Sequence, residues 1–338
     1  MAKALVHCHS LLLEPGAALP EGLLASSVPV KLLGYVSHWQ AVKAAQQSDD
    51  AACEHLLQSY TGEPVGVFFG APEINGRFFY NKTLDAFNFE KVAADLGLVL
   101  RKILESQTMS TPPSIFLGGT HLSQYLPGFT QHNPPVPIPS ESIRNGLWVG
   151  NQTRVAIHQD LPLNIACCVA GKRRFTLFPP AQTANLYIGP LEFTPSGQAV
   201  SLVDSDNYDA ARFPRFKDAL AQAQVAELAP GDALFIPSMW WHQVDALAPF
   251  NVLVNYWWRT TPAHMDAPIN ALYHALLSIA GLPEAEKQIW REMFEHYVFA
   301  DGDAHLQHIP ERARGILNPQ DEDSARRIRS LLLQALNR

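Results

Sequence analysis

The period of the apolar positions changes along the chain and divides it into three parts. In the first, short apolar runs alternate with helical patterns. Residues 1–28 read as a strand followed by loop, and "VPVKLLGYV" (28–36) as a further strand. Ser37 is placed to cap a helix beginning "HWQAVKAA". "PVGVFFG" (64–70) is a short apolar strand. In "FEKVAADLGLVLRKILES", Val92, Leu96, Val99, Leu100 and Ile103 share one helical face, which predicts a helix capped by Asn88. "SIFLGG" (114–119) returns to strand. A loop rich in Pro, Gly and Gln runs from about 120 to 145, and loops of this length are usually functional lids or mobile segments.

From Leu147 to about Arg259 short β-rich runs succeed one another: "LWVGN", "TRVAIH", "NIACCVAG", "RRFTLFPP", "QVAELAPG", "ALFIPSM" and "NVLVNYWWR". Pro, Gly, Asn and Asp separate them, as in a sandwich or small barrel. Beyond 262 the helical period returns in "NALYHALLSIAGL", "EAEKQIWREMFEHYVFA" and "DSARRIRSLLLQALNR". The expected organisation is therefore N-terminal α/β elements over 1–113, a β core over 114–262 and a helical segment over 263–338.

Composition narrows the function classes. With 338 residues, 47% of them hydrophobic and only 17% charged, the chain can bury a large core. A formal charge of −7 without a basic block argues against nucleic acid as a partner. No stretch approaches the ~20 apolar residues that span a bilayer, and "MAKALVHCHSLLLEPG" lacks a signal-type apolar run. Of the four cysteines, Cys167 and Cys168 are adjacent on a strand and point to opposite faces. Reduced thiols in a cytoplasmic protein are the expectation.

The polar residues of the β region carry the chemistry. His158 and Asp160 are spaced i, i+2 at the start of a strand, so an imidazole and a carboxylate share one face. His242, in "PGDALFIPSMWWHQVDAL", supplies a third donor. Two His and one carboxylate with open positions form the facial triad of non-haem Fe(II) oxygenases. Asp232 is expected in a turn, Trp240 and Trp241 around the pocket or barrel end, and one of Trp257 and Trp258 in the pocket. His121 and His132 are expected at the surface of the long loop, and the acidic loop "DSDNYDAARFPRF" reads equally as a pocket rim or an insertion.

The segments "HQD", "NIACCVAGKRRFTLFPP", "DSDNYDAARFPRF", "APGDALFIPSMWWHQV" and "NVLVNYWW" resemble, in order, the cupin-type JmjC oxygenases, the group that includes the asparaginyl hydroxylase factor inhibiting HIF. "PVKLLGYVSHWQAV" is similar to that group's N-terminal strand and helix. The resemblance implies a mainly β fold with flanking helices, a double-stranded β-helix (cupin or jelly-roll barrel). It implies His158, Asp160 and His242 as ligands of Fe(II), and 2-oxoglutarate as cosubstrate bound by a basic residue, Arg173 by register rather than Lys172. Asn164 and Asn255 match asparagines that contact the cosubstrate or its waters. Val155 and Phe116 stand where the hydroxylase has Thr and Tyr, which removes two hydroxyl donors. The implied activity is hydroxylation of a protein or small-molecule substrate, in a homodimer formed through the C-terminal helices. Two other readings stay open: a metal-binding cupin that binds a ligand or partner without oxidising it, and a zinc-dependent cupin enzyme.

Overall fold

Alternating sheets organise the β-rich middle of the chain. In the computed structural model, which describes residues 6–337, the strands are β1 (Val6–His7), β2 (His9–Leu12), β3 (Val30–Leu33), β4 (Val65–Gly70), β5 (Arg77–Phe78), β6 (Glu90–Ala94), β7 (Ser114–Thr120), β8 (Ile143–Gly150), β9 (Arg154–Gln159), β10 (Leu163–Ala170), β11 (Arg173–Phe178), β12 (Gln224–Leu228), β13 (Ala233–Ile236), β14 (Trp241–Ala246) and β15 (Asn251–Trp258). One sheet runs β1-β12-β11-β14-β9-β5 and the other β2-β3-β13-β10-β15-β8-β7-β4-β6. β8 to β15 are thus dealt between the two sheets, β8, β10, β13 and β15 to the larger and β9, β11, β12 and β14 to the smaller. This is the jelly-roll barrel expected from the sequence. Residues 1–5, the opening of the first expected strand, lie outside the described residues.

Both faces of β10, in the middle of the larger sheet, are buried, and that explains its unbroken apolar run. On its outer face Ile165, Cys167 and Val169 join Trp39, Val42, Leu56, Val99 and Ile103 in one core. On its inner face Ala166 and Cys168 meet Phe175, Leu177 and Val244 inside the barrel. The adjacent cysteines therefore do diverge, and burial pushes both thiols up, Cys168 to about 12. All four cysteines are free and buried.

The chain divides into two compact units, through Arg259 and from Thr260. The first 113 residues belong to the same unit as the barrel. The second unit contains helices Pro268–Ser278, Glu284–Tyr297 and Glu322–Leu336, the last opened by a reciprocal capping box between Asp321 and Ser324. No helix among the described residues is long and apolar enough to cross a membrane.

Four local expectations are corrected. The helix expected from Asn88 begins at Leu96, because the Asp95 carboxylate caps it by accepting from the Leu98 N–H at 3.0 Å. Residues 90–94 form β6 instead, and Val92 lies exposed on it. Ser37 does not cap its helix, which starts at Gln40 after Trp39 with no side-chain cap. The 120–145 segment is not an open lid, since it holds two short helices and buries Leu122, Leu126, Phe129 and Val136 in the main core. Within it His132 is exposed as expected, while His121 is half-buried.

Candidate metal centre

Strand pairing brings the distant histidines together. β9 and β14 are antiparallel neighbours, and His158 stands directly opposite His242, with ring centroids 4.2 Å apart. Between the pairs His242↔His158 and Val244↔Val155 the register shifts, so β9 carries one extra residue. That bulge lets Val155 and His158, three apart, both face the barrel interior. Asp160 comes two residues later, just beyond β9. The Met239 N–H donates to the Asp160 carbonyl at 2.9 Å, and the Ser238 hydroxyl to the Leu161 carbonyl at 2.5 Å. These bonds tie the turn before β14 to the end of β9. One donor atom from each of His158, Asp160 and His242 lies within 4.8 Å of the others.

The hydrogen bonds around the three side chains suit a cation. Nδ1 of His158 lies 2.9 Å from the Ala156 carbonyl, and Nδ1 of His242 lies 2.9 Å from the Trp240 carbonyl. A carbonyl only accepts, so each Nδ1 carries the proton and each Nε2 offers a lone pair. Burial, reinforced by the neighbouring His158, pulls His242 down to about 4, which keeps it neutral and available as a ligand. The Trp257 indole N–H donates to Oδ2 of Asp160 at 3.0 Å, and the Asn164 amide lies 3.4 Å from the same oxygen. Asn255 donates in turn to Oδ1 of Asn164 at 2.7 Å. The carboxylate is thus oriented by a relay from β10 and β15.

The three groups open on a pocket with about 370 Å³ of space. Arg173, Phe116, Val155, Asn164, Asn255 and Trp257 line it along with them. Arg173 is 2% exposed, and its Nε and Nη2 have no hydrogen-bond partner. Burial pulls its guanidinium down to about 10. The register is unambiguous, because Lys172 is exposed and Arg174 turns to the outer face to bond Asp245 at 3.0 Å. Phe116 is stacked against Phe78 and Trp148 and, like Val155, brings no hydroxyl. Two further buried polar atoms of lining residues lack partners: Oδ1 of Asn255 and the indole N–H of Trp148.

All seven candidate site residues therefore line one pocket. Of the other candidates, Trp257 lines it, whereas Trp258 packs in the outer core. Trp240 and Trp241 do not line it; their indole N–H groups donate to the Ser27 carbonyl and the Thr183 hydroxyl. Asp232 sits in its turn, accepting from Gly34 and Ala229 and pairing with Lys31 at 2.9 Å. Asp204 and Asp206 of the acidic loop bond Arg154 at 2.6 and 2.7 Å. They anchor that loop to the barrel. Trp148 lines the pocket without being among the sequence candidates. Its signal is the glycine pair that makes room for it: a Cβ on Gly118 would come within 3.1 Å of the Trp148 ring, and one on Gly119 within 3.6 Å.

Comparison with known proteins agrees with this geometry. A segment of 126 residues is 35% identical to the lysine-specific demethylase JMJ31 of Arabidopsis thaliana, covering 36% of this chain and 22% of that protein. A segment of 140 residues is 34% identical to human HSPB1-associated protein 1, covering 40% and 28% respectively. The tRNA wybutosine-synthesizing protein 5 of Danio rerio is 35% identical over 106 residues, covering 31% and 29%. The chain thus spans less than a third of the length of each of these relatives. The profile of the cupin-like domain matches residues 16–264, a span that holds both sheets' barrel strands and all three candidate ligands, and the chain belongs to this JmjC-type cupin-like family.

Proposed function

We propose that the protein is an Fe(II)- and 2-oxoglutarate-dependent oxygenase that hydroxylates a protein or small-molecule substrate. The observation that carries this reading is Arg173, a buried guanidinium without a partner in the same pocket as two imidazoles and a carboxylate. A metal alone leaves that cation uncompensated. A dianion that reaches from the metal to Arg173 satisfies both ends, and 2-oxoglutarate has the needed keto acid at one end and carboxylate at the other. Family membership and the demethylase among the relatives support the same chemistry.

In this reading His158, Asp160 and His242 hold the metal, and Arg173 holds the distal carboxylate. Trp257 and Asn164 fix the face that Asp160 presents. Phe116, Trp148, Phe175 and Leu253 keep the pocket apolar and limit water. When bound, iron supplies the oxidising chemistry with 2-oxoglutarate and dioxygen, while the protein contributes binding and exclusion of water. The test is anaerobic addition of Fe(II) and 2-oxoglutarate, then exposure to air. A visible charge-transfer band and then succinate are expected. Metal analysis showing tightly held zinc, with no succinate formed after iron loading, would favour a zinc cupin. Ligand binding without succinate would favour a non-oxidising binder.

We also propose that the helical unit forms a homodimer. Leu272, Leu276, Ile289, Trp290, Met293, Leu332 and Leu336 are all exposed on its helices. Apolar surface of this extent on several helices marks an interface. Sedimentation should give twice the 37.4 kDa chain mass; a single-chain mass at micromolar protein rejects the dimer.

A further inference from the structure

A second opening lies on the outer face of the six-stranded sheet, where the chain leaves β5. It holds about 690 Å³ of space and shares no residue with the metal pocket. β5 runs parallel to β9, and Phe79 and Tyr80 pack against Ala156, two residues before His158. The opening therefore lies roughly 7 Å along the strand from a candidate ligand, on the opposite face of the sheet.

Its lining is cationic on a chain of net charge −7. Arg77, Lys82 and Arg212 line it, and no carboxylate does. The acids nearby are already engaged. Asp204 and Asp206 bond Arg154 at 2.6 and 2.7 Å, which leaves Arg77 at 3.9 Å from Asp204. Asp85 accepts from Thr83 and Asn81 at 2.6 and 2.7 Å. The Arg77 guanidinium sits over the Phe79 ring, 3.8 Å from its centroid, and donates through Nη2 to the Val203 carbonyl at 3.2 Å, which holds it in place. The rest of the lining is Phe79, Tyr80, Leu84 and Leu202, largely apolar, and Asn81, whose amide already donates to Asp85.

The walls are held in place. The Tyr80 hydroxyl donates to the Phe193 carbonyl at 2.5 Å, and Phe87 stacks on Phe193 at 4.6 Å. The Ser201 N–H donates to the Ile157 carbonyl at 2.8 Å. Leu84 takes a φ of 60°, a left-handed conformation unusual for a branched side chain and of the kind that clusters at ligand clamps.

We propose that this pocket binds a small phosphomonoester with an apolar body, its phosphate among Arg77, Lys82 and Arg212 and its body against Phe79, Tyr80 and Leu202. Three cations around one opening match the nearly two negative charges of a phosphomonoester better than the single charge of a carboxylate. The apolar wall distinguishes such a ligand from inorganic phosphate.

The test is calorimetric titration of phenyl phosphate into the full chain, treated with chelator to keep the anion away from any metal. Saturable binding at one site is expected, about tenfold or more tighter than inorganic phosphate, with no binding of phenol. The exposed double variant Lys82→Gln/Arg212→Gln should weaken it by about tenfold or more while keeping the wild-type melting temperature. Excess 2-oxoglutarate should not displace it. Absence of saturable binding, unchanged affinity in the double variant, or displacement by 2-oxoglutarate would each overturn the assignment. A phosphotyrosine peptide binding far more tightly than phenyl phosphate would overturn it in favour of a phosphorylated protein.

Discussion

Replacing Arg173 with Met should stabilise the ligand-free protein while removing its affinity for 2-oxoglutarate. The guanidinium is 2% exposed, has no acidic partner among the described residues, and leaves Nε and Nη2 without acceptors. Burial pulls it from its ordinary value of 12.5 to about 10, a penalty on the charged form on the order of 3 kcal/mol. Exchange of buried charged groups for apolar side chains of similar volume is often stabilising, by about 1–4 kcal/mol. Met fills most of the same space in a pocket also lined by Phe175 and Leu253, and adds no donor. For a unit of this size, 1–3 kcal/mol raises the melting temperature by roughly 3–10 °C. Thermal melts of chelated wild type and Arg173→Met measure the first half of the claim. Repeating them with Mn(II) and 2-oxoglutarate measures the second: the wild type should gain stability from the cosubstrate and the variant should gain none. A variant that melts below wild type without ligand would refute the reasoning. It would show that Arg173 has a structural partner and is not held in reserve for an anion.

Three further outcomes are expected at the same site. Trp257→Phe keeps an aromatic ring, though a smaller one, and deletes the N–H that donates to Asp160, so Co(II) or Mn(II) affinity should fall roughly 10- to 100-fold with the fold intact; unchanged affinity would make that bond incidental. Gly146→Ala places a Cβ 3.0 Å from the Trp257 ring, which must shift, so metal affinity should change in the same direction; a wild-type value would mean that the ring yields without losing Asp160. His242 is held at about 4 when folded against 6.5 when unfolded, so the unfolded chain takes up the proton first. Stability from this group is therefore full above pH 6.5 and is lost as pH falls towards 4, by up to about 3 kcal/mol. Melts of chelated protein should show this acid slope, and His242→Gln should flatten it.

Much of the site is legible in the sequence because it obeys strand alternation. His158 and Asp160 share a face two residues apart, and on β11 the same alternation sends Arg173 inward and Arg174 outward. The illegible part depends on register across strands. The bulge in β9 puts Val155 and His158 on one face, and no Gly or Pro in "RVAIHQ" announces it. Alternation in "NYWW" shows that the two tryptophans part company but not which one enters the barrel. Pairing Asn164 with Trp257 across β10 and β15 decides that. β14 does not look like a strand in sequence, because Gln243 and Asp245 resemble loop residues. Both are buried on the outer face, where Gln243 accepts from Ser205 and Asp245 accepts from Arg174.

That outer face ties the barrel's chemistry to its surroundings. Arg154, Arg174, Asp204, Asp206 and Asp245 form one charge network on the back of the strands that carry His158, Arg173 and His242. Burial raises the Asp245 carboxyl, and Arg174 opposes that rise. Each of the three strands thus presents a candidate site residue inward and, on the same strand, a member of the network outward. The acidic loop, which in sequence reads equally as a pocket rim, contributes no residue to the metal pocket, and its Asp204 and Asp206 brace the back of the strand that carries His158. Substitution of Asp204 or Asp206 should therefore act on the candidate metal centre through strand position, not through contact with any substrate.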